Sequence, residues 1–179
     1  MKRVLDLALA LPLALLAGPV VLAAAAWIRL TSPGPAIFAQ ERIGKNEARF
    51  RCLKLRTMYR GTRSLPTHEI GEHAVTPAGR ILRGMKLDEL PQLWNVLRGE
   101  MSLVGPRPCL PTQKALIERR RDLGVYALKP GMTGLAQVEG IDMSDPEKCA
   151  GKDAEYLKNR SLGMDMKILL MTLAGGGLR

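Results

Sequence analysis

The chain has 179 residues, with 27 Lys and Arg against 17 Asp and Glu, and a formal net charge of +10. At 46% apolar residues it is long and apolar enough to bury a core, which excludes a disordered polycation. Two Trp, three Tyr and two Phe are few stacking platforms, which argues against nucleic acid as the partner. The excess charge addresses another anion: a phosphorylated substrate, a lipid headgroup, or both.

From the N-terminus, "MKRVLDLALALPLALLAGPVVLAAAAWIRL" carries no charge between Asp6 and Arg29. As a helix this run extends about 33 Å, enough for a hydrocarbon core of about 30 Å. Three readings compete. A cleaved signal peptide fits the basic start but not Asp6 or the over-long apolar run. A simple spanning helix conflicts with Pro12 and with the Gly18-Pro19 pair, because proline removes a helical hydrogen bond. A re-entrant helix-break-helix, broken at Gly18 and Pro19, keeps Lys2 and Arg3 on the same side as Arg29, Arg42, Lys45, Arg49 and Arg51, as the positive-inside tendency favours. Spanning and re-entrant forms both remain open at this stage. Trp27 and Arg29 suit an interfacial anchor in either.

"TSPGPA" (31–36) ends this segment. The alternating runs Ile37–Arg42 and Phe50–Leu55, around a Gly-Lys-Asn turn, predict a β-hairpin. Residues 60–75 read as a surface loop. Within them "HEIGEH" (His68 to His73) misses zinc-protease spacing, since the second His comes one residue late and Gly71 interrupts a helix. "TPAGRILRGMK" predicts a short helix capped by Thr76 with Pro77 at its first position. "TQKALIERRRDLG" predicts an amphipathic helix stopped by Gly124. "KPGMTGLAQVEG" (129–140) is too glycine-rich for regular structure and reads as a shaped loop. Two more helices follow, the last rich in Met and Leu and suited either to a membrane surface or to a core. Cys52, Cys109 and Cys149 are odd in number and far apart, which argues for a reducing compartment.

"KLDELPQLWNVLRGEMSLVGPRP" (86–108) carries the chemistry. With Asp88 as N-cap, Pro91 falls in the first turn of a helix that runs to Gly99, and both Asp88 and Glu89 sit at the positive end of its dipole. Neighbouring helical residues diverge by about 100°, so the two acids cannot face each other as a glycosidase pair and must have different jobs. An ionised aspartate there suits a nucleophile, and a neighbouring glutamate suits Mg²⁺. The plain alternative is a cap and a first-turn glutamate with no chemistry. Arg107, stiffened by Pro106 and Pro108, presents a guanidinium suited to phosphate.

These blocks, together with "CLKLRTM", "TPAGRILR" and "KPGMTGLAQVEG" in that order behind "KRVLDL", resemble the bacterial sugar transferase family, the small monotopic phosphoglycosyl transferases. The resemblance runs from about Lys2 to Thr172. It implies transfer of a sugar 1-phosphate from a UDP-sugar to polyprenyl (undecaprenyl) phosphate at the cytoplasmic face of the bacterial inner membrane. In that scheme Asp88 forms a phosphosugar ester and expels UMP, while Glu89, with Asp88, takes Mg²⁺. Arg107 meets phosphate, and Lys54, Arg56, Arg80 and Arg83 are further anion contacts. The expected fold is α+β and mostly helical. It has a re-entrant membrane segment at 1–30 and a catalytic domain at 31–179, with interfacial amphipathic helices and one small β-hairpin. Gly18 departs from the small polar residue often found at the family's break. The chain resembles the minimal catalytic domain, without the extra membrane helices of larger relatives. A homo-oligomer is admitted but not required. The competing readings are a non-catalytic basic membrane adaptor and a nucleic-acid-binding protein.

Overall fold

A computed structural model describes residues 1–62 and 74–175; His68 and His73 lie outside the described residues. Lys2–Thr31 is one continuous helix, α1, and Pro12 and Pro19 both lie inside it. The break expected at Gly18 and Pro19 is therefore not an interruption of the helix. Each proline removes one backbone donor, and the bonds on either side carry the helix through.

Along α1 the residues turned toward the rest of the chain recur at helical spacing. Asp6, Ala10, Ala24 and Ile28 are buried, and Ala14, Ala17 and Val21 are partly so. The opposite side leaves Leu7, Leu11, Leu15, Leu16 and Leu22 exposed. Both ends are fastened to the body. Near the start, Arg3 donates to the carbonyls of Val96 and Leu97 at 2.5 and 2.9 Å, and Lys2 pairs with Asp165 at 2.7 Å. Asp6, only 4% exposed, accepts from the Ser102 hydroxyl and the Leu103 N–H at about 3.0 Å. Near the end, Ala24 and Ile28 pack with Ala36, Leu55 and Leu82.

The predicted hairpin forms from β1 (Ile37–Ile43) and β2 (Arg49–Leu55), antiparallel with Gln40 opposite Cys52. Its turn uses Asn46 at φ 55°, a left-handed conformation that Asn tolerates. Helix α2 (Pro77–Gly84) is capped as expected, with the Thr76 hydroxyl accepting from the Gly79 N–H at 2.9 Å. Gly79 is dictated by contact, because a Cβ there would lie 2.1 Å from the Thr57 carbonyl oxygen.

The next segment departs from expectation. Asp88 is not a helix cap: Leu87–Glu89 form a 3-10 turn, and α3 begins only after Pro91, as Gln92–Arg98. The chain passes from turn to helix through successive i→i−3 bonds, Leu90 to Leu87, Leu93 to Leu90 and Trp94 to Pro91, which Pro91 accommodates without a donor of its own.

Strand β3 (Ser102–Val104) pairs in parallel with β4 (Gly131–Thr133), so the glycine-rich 129–140 stretch holds a strand and a short helix, α5 (Leu135–Val138). Glycine permits this by close approach: a Cβ on Gly131 would lie 2.1 Å from the Gly105 nitrogen, and one on Gly134 would lie 2.2 Å from the Gly105 oxygen. Helices α4 (Lys114–Asp122), α6 (Pro146–Asn159) and α7 (Leu162–Leu173) complete the fold, with Gly124 at φ 68° ending α4's turn. Among the described residues the architecture is mostly helical, with one apolar N-terminal helix, one hairpin and one unforeseen two-stranded parallel pair.

Candidate active site

Asn95 sets the distance between the hairpin and the acids. Buried on α3, it accepts from the Leu53 N–H at 3.0 Å and donates to the Arg51 carbonyl at 2.8 Å, which locks β2 against α3. Lys54, the next residue along β2, then reaches the turn that carries the dyad. Its Nζ meets Glu89 Oε1 at 2.7 Å. From the other side Arg107 donates an NH2 hydrogen to the same oxygen at 3.0 Å. Both contacts fall on Oε1, so Oε2 carries neither.

The two acids are driven apart. Burial alone would raise the pKa of Glu89, but Arg107 and Lys54, by charge and by hydrogen bond, hold its carboxyl well below the ordinary glutamate range. Asp88 goes the other way. Burial pushes it up and the Glu89 charge adds to this, while Lys54 and Arg83 oppose it only in part. One carboxylate is a fixed anion neutralised by two cations. Its neighbour is a desolvated carboxyl with far less electrostatic support.

Arg107 owes its position to a second buried network. Arg120 of α4, 1% exposed, pairs with Asp153 of α6 at 2.7 Å and donates from NH1 to the Arg107 carbonyl at 2.9 Å. Glu89 in turn raises the pKa of Arg107, keeping the guanidinium charged despite burial. Lys54, Glu89, Gln92 and Arg107, with Arg42, Cys52 and Met132, line a shallow, half-open depression.

The other predicted anion contacts divide. Arg83 donates from Nε to the Thr57 hydroxyl at 2.8 Å and acts on Asp88 through its charge. Arg80 is exposed on α2. Arg56 is built into the fold instead: its NH1 and NH2 donate to the carbonyls of Pro33 and Ser32 at 2.7 and 2.8 Å and clamp the exit from α1. Sequence reasoning passed over Arg42, Gln92 and Arg120. Two of these left a trace, since strand alternation puts Arg42 on the inward face with Gln40, and Arg120 falls one turn after buried Leu116.

The model of the bacterial sugar transferase family matches residues 1–176. The chain belongs to the bacterial sugar transferase family. Among its relatives this sugar transferase is 43% identical to the UDP-glucose:undecaprenyl-phosphate glucose-1-phosphate transferase of Caulobacter vibrioides, over 96% of this chain and 68% of that one. It is 37% identical to the UDP-N-acetylgalactosamine-undecaprenyl-phosphate N-acetylgalactosaminephosphotransferase of Aeromonas hydrophila, over 96% of this chain but only 42% of the relative. With the exopolysaccharide production protein ExoY of Rhizobium meliloti it shares 34% identity, over 96% and 83%. The sugar transferase spans less than half the length of several relatives that it matches, and the family match includes the dyad, the hairpin and the Arg107 loop.

Proposed function

We infer that this sugar transferase moves a sugar 1-phosphate from a UDP-sugar to polyprenyl phosphate, with Asp88 as the transient carrier. The observation that carries the reading is the division of labour between adjacent carboxylates: Glu89 bound by Lys54 and Arg107, Asp88 buried and without comparable support. An anion stripped of water is a stronger nucleophile once ionised, and the cations beside it are placed for the phosphate it attacks.

In the first half-reaction an Asp88 carboxylate oxygen bonds to the sugar-bearing phosphorus, and the phosphorus–oxygen bond to UMP breaks. In the second, an oxygen of polyprenyl phosphate bonds to that phosphorus, and the Asp88–phosphorus bond breaks. Polyprenyl diphospho-sugar leaves and the carboxylate is restored. Arg107 and Lys54 hold the phosphoryl oxygens, and Arg83 lends positive charge on the Asp88 side. Among the described residues no cluster of three or more His, Cys, Asp and Glu side chains converges on a metal position. Asp88 with Glu89 Oε2 is a hard-oxygen pair of the kind that Mg²⁺ completes with substrate phosphates. When bound there, Mg²⁺ would supply charge neutralisation on the diphosphate.

Membrane attachment follows from α1. Its apolar side faces outward while both its ends are tied to one body. A helix crossing the bilayer would place its ends on opposite sides, and one body cannot hold both. We propose on this ground that α1 is held in one leaflet, in the re-entrant form, at the cytoplasmic face of the bacterial inner membrane. The exposed Leu162, Met166, Leu170 and Leu173 stripe of α7 adds interfacial apolar surface. Because Cys52, Cys109 and Cys149 are buried, single cysteines introduced at Lys2 and Lys45 report cleanly. Both are expected to react with an impermeant maleimide from the cytoplasmic side only. Labelling of one from each side would rule out the re-entrant form.

The reaction is tested by withholding the acceptor. Incubation with Mg²⁺ and a panel of UDP-sugars is expected to release about one UMP per enzyme, and mass spectrometry should find a phosphosugar on the peptide holding Asp88. A chain acting only as an adaptor would release none.

A further inference from the structure

Arg42 is a buried cation without a carboxylate. It is 8% exposed; its Nε and NH2 donate to Gln40 Oε1 at 3.1 and 2.6 Å, and its NH1 donates to the Pro108 carbonyl at 2.9 Å. Both acceptors are neutral. Among the described residues no carboxylate lies within ion-pair distance of it, and the nearby Glu89 is already held by Lys54 and Arg107. Burial lowers the pKa of Arg42 and the charge of Arg107 pushes it the same way, while the more distant charge of Glu89 opposes them only in part. A desolvated charge facing only neutral acceptors is costly. Tying β1 to Pro108 would need no charge at all, so the guanidinium is better explained by an anion that is absent from the free protein.

The placement says which anion. Arg42 lines the same depression as Lys54, Glu89 and Arg107, and the carbonyl it holds belongs to the residue after Arg107. Asp88 adjoins Glu89 in the chain but is not among the residues that line this depression. In phosphoryl transfer the attacking and leaving oxygens lie roughly in line across the phosphorus. Attack by Asp88 from outside that lining expels the leaving group away from Asp88, into the depression that Arg42 lines.

We propose that Arg42 binds the nucleotide-side phosphate of the donor, the group that departs as UMP, while Arg107 and Lys54 hold the sugar-side phosphate. Three of its five N–H groups are occupied, which leaves two for phosphate oxygens. The inference rests on the transfer reaction proposed above and adds a contact for its leaving group.

The test measures UMP and uridine binding to the full chain in nanodiscs by titration calorimetry, together with the two KM values. In Arg42→Gln, UMP affinity and the UMP-over-uridine preference are expected to fall about tenfold, the value of a lost charged bidentate contact. KM for the UDP-sugar should rise by a similar factor, while KM for polyprenyl phosphate stays within about twofold. Arg42→Lys keeps the charge but not the fork, and is expected to lose about threefold in UMP affinity. It decides the matter should the glutamine variant fail to fold. Unchanged UMP preference in a folded variant, or an equal loss for both substrates, overturns the role of Arg42 alone. A wild-type chain that neither binds UMP nor releases it from any UDP-sugar overturns the transfer reaction and this inference together.

Discussion

Asp88→Asn is expected to lower turnover by about 10³-fold or more, because an amide cannot form the phosphosugar ester. The same variant should release no UMP in the absence of acceptor and leave no adduct on its peptide. The pH profile of the wild type carries a second signature. Burial and the Glu89 charge raise the pKa of Asp88, so the acid limb of kcat/KM should lie above the ordinary aspartate range, and Glu89, held well below its usual value, should not contribute to it. For an acid whose folded pKa is raised, the folded state binds more protons between the unfolded and folded values. Stability is then lost as pH rises through that window, and the deficit is complete above it. At neutral pH Asp88→Asn removes this deficit and should unfold at a higher temperature than the wild type while being inactive. A variant that is inactive because it is misfolded would show the opposite shift. An Asp88→Asn enzyme turning over at the wild-type rate would end the account of the reaction.

The second large effect is on the fold. Asp153→Asn leaves the Arg120 guanidinium buried without its counter-ion, at 1% exposure, beside a neutral amide. Breaking one side of a buried pair costs about 3–5 kcal/mol, which for a chain of this size lowers Tm by roughly 10 °C. The loss should also reach the site, because Arg120 holds the Arg107 carbonyl and Arg107 holds Glu89. Thermal unfolding in nanodiscs checks the first effect, and the KM for the UDP-sugar checks the second. Replacing the pair together, as Arg120→Met with Asp153→Leu, should recover much of the stability without restoring the placement of Arg107. A single Asp153→Asn variant within about 2 °C of the wild type would show that the pair carries no such strain.

Much of this protein could be read from local pattern. Alternation along 37–55, the Thr76-Pro77 start of α2 and the outward apolar run of α1 each reflect forces acting between residues a few positions apart. Residue type and spacing alone left Asp88 and Glu89 open to a plain cap, and it was the resemblance to the family's motifs that singled out the dyad and Arg107. Tertiary structure decided what depends on long-range contact. It turned Asp88 from a helix cap into a buried 3-10 residue and made a parallel strand of the glycine-rich loop through backbone approach to Gly105. It assigned Arg56 to the carbonyls of Ser32 and Pro33, and brought Arg120, 13 residues beyond Arg107, under the Arg107 loop. The physical reason is one of range. Propensity and periodicity are set by neighbours in sequence, whereas the charge state of a carboxyl is set by what burial removes and which cations arrive from other elements.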